Sequence, residues 1–230
     1  MNFIFFVILF CFFIFLYVLY YFAKDDFVII RKDISLERVF NLAFLTGIIG
    51  LLSSRVGFAI FSNNLNYLNP VVFLAFPYFP GFSLTGGIIG MSLFTYFYSS
   101  FRKMPVGRII DLFTMSFITV LPFSFIVIFI ISLGKTPIFF NIFFLLSLII
   151  YILFAKIIYP YASRGEIKDG SLGLVFLSIF SFLYFIVKLF LDIKNFSFLE
   201  TENIALLILL FSSLIILINQ EIMDKFLNKK

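Results

Sequence analysis

Apolar residues run almost unbroken through seven stretches of this chain, and polar or charged residues gather in the short intervals between them. The stretches are Phe3–Phe22, Val39–Phe61, Gly81–Tyr98, Ile109–Leu133, Ile138–Tyr159, Ser171–Leu191 and Ile204–Ile218. A helix needs roughly 20 apolar residues to cross the hydrocarbon layer, and all but the extendable last stretch come close to that length. The pattern predicts an all-α fold, a polytopic membrane helix bundle with seven transmembrane helices, in a single domain over residues 1–230. No internal repeat or linker divides it. A cleaved signal peptide competes for the first stretch, but no basic residue precedes it, the apolar run is too long, and no small-residue cleavage site follows. It is therefore expected to remain as a membrane helix. The connection Ser62–Pro80 holds a short apolar run, Val71–Phe76, that cannot span, and its aromatic residues suit a loop dipping into the headgroup zone.

Composition agrees with the pattern. Apolar residues make up 63% of the chain, 39 of its 230 residues are phenylalanine, and the mean hydropathy is +1.16. That is more apolar surface than a soluble fold can hide. The net charge of +5 does not point to nucleic acid, because the basic residues flank apolar stretches and form no dense cluster. With no histidine and one cysteine, Cys11, the sequence offers no internal disulfide and no metal or cofactor motif.

Lys and Arg fall unevenly. Lys24, Arg31, Lys32 and Arg38 follow the first stretch, Arg102, Lys103 and Arg108 the third, Arg164 and Lys168 the fifth, and Lys225, Lys229 and Lys230 the last. The other connections carry only Lys135 and Lys194. The positive-inside rule then predicts an outer amino terminus and a cytoplasmic carboxyl terminus.

That topology assigns depths to the polar residues within the stretches. Arg55 falls about six residues, or roughly 9 Å, below the outer surface. A charge at that depth must pair, snorkel or face water, so Arg55 is a candidate ligand-binding residue and equally a candidate helix tie. Tyr184, Lys188 and Asp192 are spaced four apart and share one helix face at the outer end, where they read either as interfacial anchors or as part of a site. Gly47, Gly50, Ser53 and Gly57, with Gly86 and Gly90, are spaced for close helix packing. Ser83, Thr85, Gly86 and Gly87 also open a helix whose free N–H groups favour an anion. Two cations and two hydroxyls at one depth suit a lipid phosphate.

Four segments of the sequence, in order, resemble the prolipoprotein diacylglyceryl transferase family. SSRVGFAIF (Ser53–Phe61) is similar to its Ala-Arg-Leu-Gly-Tyr stretch, and GFSLTGGIIG (Gly81–Gly90) to its Ser-Phe-His-Gly-Gly motif, with Thr85 where the family has histidine. FRKMPVGRIIDL (Phe101–Leu112) resembles its basic loop leading to an aspartate. FLYFIVKLFLD (Phe182–Asp192) resembles its Tyr, Arg-Phe and Glu-Phe pattern, with Tyr184, Lys188 and Asp192 at those positions. The family's Gly-Arg-x-Gly-Asn-Phe-x-Asn-x-Glu motif has no counterpart in PFSFIVIFIISLG (Pro122–Gly134), and its Pro-x-Gln-Leu-Tyr-Glu motif is reduced to Pro137.

The resemblance implies a bacterial plasma-membrane transferase that moves diacylglyceryl from phosphatidylglycerol, an anionic phospholipid, to the cysteine of a lipoprotein-precursor signal segment. It implies chemistry at Lys188, Asp192 and Thr85, with substrate bound by Arg55, Ser83, Gly86, Gly87 and Tyr184. A neutral threonine hydroxyl is not a base near neutral pH, so slow transfer is expected. An inactive relative that binds phospholipid or signal segments, and an unrelated small transporter or membrane scaffold, remain the alternatives.

Overall fold

The computed structural model describes residues 4–63, 65–75, 78, 81–131, 138–191 and 197–223. Among these there is no strand. The helices are α1 (Ile4–Ala23), α2 (Phe27–Arg31), α3 (Leu36–Phe61), α4 (Pro70–Leu74), α5 (Leu84–Phe101), α6 (Val106–Ile131), α7 (Ile138–Leu153), α8 (Tyr159–Ser163), α9 (Ser171–Leu191) and α10 (Thr201–Ile218). Among the described residues six helical segments are long and apolar enough to cross a membrane: 6–23, 36–61, 106–127, 141–163, 171–191 and 201–221. The chain therefore has the build of a multi-pass membrane protein. The helix α5, expected as a seventh span, is not among the six. Gly, Ser and Thr fill eight of its 18 positions, which lowers its apolarity.

Local chemistry explains where the helices begin. Ser35 caps α3 by accepting from the Arg38 N–H, and Ser83 caps α5 by accepting from the Gly86 N–H at 3.1 Å. Asp26 caps the short α2 by accepting from Val28 and Ile29, both at 3.0 Å. Pro160 cannot donate to the carbonyl of Lys156 and its ring crowds that turn. The helix widens there into a π-helical turn, Phe154–Ile158, before α8.

The helix α6 is the axis of the bundle, with 61% of its membrane-length segment buried against at most 33% for the other five. One side packs α1 and α3 around Leu19, Leu42, Ile109 and Phe113. The other packs α7, α9 and α10 around Ile118, Phe154, Phe176 and Leu206. The pair α3 and α5 is held closer still. A Cβ on Gly57 would stand 2.8 Å from the Cα of Gly86, one on Gly50 would meet Met91, and one on Gly90 would collide with Ser53. These glycines pack helix on helix, as their spacing predicts, whereas Gly47 lies against Phe12 of α1.

The two ends of the bundle differ in polarity. At one end Arg108 pairs with the buried Asp26 at 2.6 Å and approaches Asp169 at 3.6 Å. Beside them the buried Asp111 accepts from Gly170 N–H at 2.7 Å and Gly173 N–H at 3.2 Å, so a carboxylate of α6 fixes the amino end of α9. Ser171 and the Lys168 N–H both donate to Glu221, tying α9 to the end of α10. The opposite end carries Ser83, Arg55, Tyr184 and Lys188.

Candidate functional site

At the Ser83 end, two helices bring polar side chains to one carboxylate of a third. Glu202, in the first turn of α10, accepts from Thr85 Oγ1 of α5 at 3.0 Å and from Tyr184 OH of α9 at 3.4 Å, both on Oε1. Its Oε2 lies 2.8 Å from Lys188 Nζ, which also reaches Glu200 at 3.2 Å. The position in a helix's first turn favours an acid, because free N–H groups and the helix dipole both stabilise negative charge there. Glu200 in turn accepts from Asn203 Nδ2 at 3.1 Å, and the same amide donates to Ser197 O at 2.7 Å.

Burial sharpens the picture. Thr85 and Asn203 are wholly buried, Tyr184 nearly so, and the Lys188 and Glu202 side chains retain 20% and 15% exposure. The residual exposure of Glu202 faces a cavity of about 360 Å³. Five phenylalanines, Phe58, Phe61, Phe82, Phe125 and Phe143, and Leu84 make most of its wall, and Ser62, Ser83, Tyr184 and Glu202 supply its polar part. An apolar volume with a few convergent polar groups has the form of a site for a ligand with an apolar body and a polar end. Both hydroxyls lie within hydrogen-bond distance of Glu202 as donors, so Thr85 and Tyr184 serve to position that carboxylate.

Arg55 does something else. It is 2% exposed, donates from its two terminal nitrogens to Gly81 O and Val72 O, each at 2.9 Å, and lies over the rings of Tyr67 at 5.2 Å and Phe82 at 5.6 Å. Its planar fork clamps the connection that follows α3 onto that helix. The same connection is fixed by the Ser83 N–H, which donates to Ser54 O at 3.0 Å. Arg55 is not among the residues lining the cavity.

The sequence candidates are thus sorted by the fold. Thr85, Tyr184 and Lys188 come together, and Ser83 lines the same cavity while capping α5. Gly86 and Gly87 face α3, where an added Cβ would stand 2.9 Å from Gly57 Cα and 3.3 Å from Ser54 Cβ respectively. Their amides are taken by the Ser83 hydroxyl and carbonyl. Asp192 lies outside the described residues. Glu202 and Glu200 were not singled out by sequence reasoning. Their signal was present, because two acids immediately precede the last apolar stretch at the end that carries Lys188.

Comparison with family models, with curated proteins and with solved structures finds no match to this chain. Its class, a helical multi-pass membrane protein with a carboxylate-centred polar cluster beside a phenylalanine-lined cavity, stands on the fold and the side chains alone.

Proposed function

We propose that this chain is a lipid-modifying membrane protein of the diacylglyceryl transferase type, in which Glu202 takes the proton of an incoming thiol. The observation that carries the reading is the convergence of Thr85, Tyr184 and Lys188 on one carboxylate that itself faces an apolar cavity. In this reading all seven stretches span a bacterial plasma membrane, α5 included, with the amino terminus outside and the carboxyl terminus in the cytoplasm. The clustering of Lys and Arg at the Arg108 end supports that orientation. The cavity then opens at the outer leaflet, where phosphatidylglycerol and the signal segment of a lipoprotein precursor are both within reach.

The step balances without a cofactor. The cysteine sulfur attacks the diacylglyceryl carbon that bears the phosphate oxygen, a C–S bond forms and the C–O bond breaks. The electron pair leaves on glycerol phosphate, and the thiol proton passes to Glu202. Such a base must come within one hydrogen bond of the thiol, and the hydroxyls of Thr85 and Tyr184 fix the orientation of Glu202 for that role. Lys188 is the site cation that side chains rather than backbone carbonyls hold, so it is the group assigned to the charge developing on the leaving phosphate.

A second reading rests on a different fact. Lys188 sits between two carboxylates, and the trio carries one positive and two negative formal charges. With its charge already neutralised by Glu200 and Glu202, Lys188 is a poor partner for a leaving phosphate, which favours an inactive relative that binds lipid without turnover. Reconstitution of the full chain in phosphatidylglycerol vesicles with a lipobox peptide separates the two. Mass spectrometry showing a diacylglyceryl thioether on the peptide cysteine supports transfer. An unmodified peptide after prolonged incubation, with lipid still bound, rejects transfer and leaves the binding reading.

A further inference from the structure

A second pocket, of about 400 Å³, opens at the Arg108 end between α3 and α5, far from the Glu202 cluster along both helices. It is lined by Arg38, Asn41, Tyr98, Arg102 and Met104. We propose that it holds the phosphate group of an anionic phospholipid from the leaflet opposite the Glu202 cavity. The proposal does not rest on the transferase reading; it requires only that α3 and α5 sit in a bilayer.

The composition of the lining argues for an oxyanion. Two guanidiniums, a carboxamide and a phenol line it, and among the described residues no carboxylate does. Among the described residues neither Arg38 nor Arg102 forms an ion pair, in contrast to Arg108, which is held by Asp26 and Asp169. Arg102 is instead stationed over the ring of Tyr98 at 5.5 Å, which fixes the guanidinium plane without consuming its donors. Arg38 lies in the first turn of α3, where the helix dipole adds positive potential, while Glu37 beside it does not line the pocket. Guanidiniums bind phosphate through paired donors, and basic pockets between membrane helices are suited to lipid head groups.

A lipid rather than a free phosphate fits the surroundings. One turn along α3 from Asn41, Phe44 and Leu45 are exposed, and beside Tyr98 and Arg102 so are Phe97 and Phe101, the last at 84%. Acyl chains descending from a phosphate in the pocket would run beside these exposed apolar side chains of α3 and α5. The charge is placed where a head group lies and the rings where the chains begin.

The test is native mass spectrometry of the full chain released from vesicles of zwitterionic lipid with a minor fraction of phosphatidylglycerol. Paired charge-assisted hydrogen bonds from a guanidinium to phosphate contribute about tenfold or more in affinity, so Arg38→Gln with Arg102→Gln should weaken retention of one bound phosphatidylglycerol by about 100-fold. Arg31→Gln with Lys32→Gln removes the same charge from the same end and should retain wild-type binding. Equal losses in the two double variants would overturn the proposal, because diffuse charge would then explain them. If the glutamine variant fails to fold, Arg38→Lys with Arg102→Lys keeps the charge and loses the paired donors; wild-type retention there also overturns it. Inorganic phosphate should not displace the lipid. Displacement by phosphate alone would assign the pocket to a soluble anion and reject the lipid.

Discussion

Replacing Gly86 by alanine probes how the α3–α5 contact sets the Glu202 cluster. The added methyl would stand 2.9 Å from the Cα of Gly57 and 2.9 Å from the carbonyl oxygen of Ser53. Ordinary carbon contacts lie at about 3.5–4.0 Å, so the overlap is roughly 0.6–1.1 Å. Both opposing atoms are backbone, and no rotamer change can relieve the clash. The helices must part, at a cost of roughly 1–3 kcal/mol for overpacking. Thr85 is the adjacent residue, and its 3.0 Å bond to Glu202 passes out of hydrogen-bonding range after a shift of about half an ångström. In a chain of this size each kcal/mol moves Tm by about 2–4 °C, so the purified full-length variant in mild detergent should melt roughly 2–12 °C lower. Gly90→Ala is the control, because its methyl meets the side chain of Ser53 and Ser53→Gly should restore much of the loss. An unchanged Tm for Gly86→Ala would refute the close packing on which the site geometry depends.

Three other outcomes follow from named contacts. Asp111→Asn turns an amide donor toward one of the two N–H groups that the carboxylate accepts from, and should cost about 1–3 kcal/mol in thermal unfolding; a neutral result would mean that α9 is anchored elsewhere. Arg55→Lys cannot bridge Gly81 O and Val72 O together, so amide hydrogen exchange should rise in residues 65–75 and stay level in α6. Uniform exchange across the chain would reject the clamp. Arg108→Gln strands the buried Asp26 and should lose about 3–5 kcal/mol, part of which Asp26→Asn restores in the double variant; purely additive losses would argue against a coupled pair.

The sequence carried the helices better than it carried their meetings. Ser171–Leu191 has the same bounds in pattern and structure, because nothing but apolar length was needed to find it. The α3 helix begins three residues earlier than its apolar run, since Ser35 caps a first turn whose Glu37 and Arg38 read as loop. Arg55, Thr85, Tyr184 and Lys188 read as one group by their depth, and the fold brings together the last three while Arg55 turns to the connection after α3. The common partner of those three was not legible, because Glu202 lies 117 residues from Thr85 and 14 from Lys188, and periodicity along one helix says nothing about contacts between helices. Arg55 read as a ligand-binding candidate or a helix tie, and nothing in the sequence showed that it clamps the connection after α3. Its partners are backbone carbonyls, which every residue possesses and no sequence pattern marks.

The central claim is that Glu202 is the proton acceptor of a thiol-to-lipid transfer, and single-turnover transfer to a lipobox peptide by wild type and by Glu202→Gln measures it directly. The glutamine is nearly isosteric and can still accept from Thr85 and Tyr184, so peptide binding should persist. Loss of a general base typically removes about 10²- to 10⁴-fold in rate, and the variant is expected to fall by that much. A Glu202→Gln protein that binds the peptide and transfers diacylglyceryl at the wild-type rate would contradict the account.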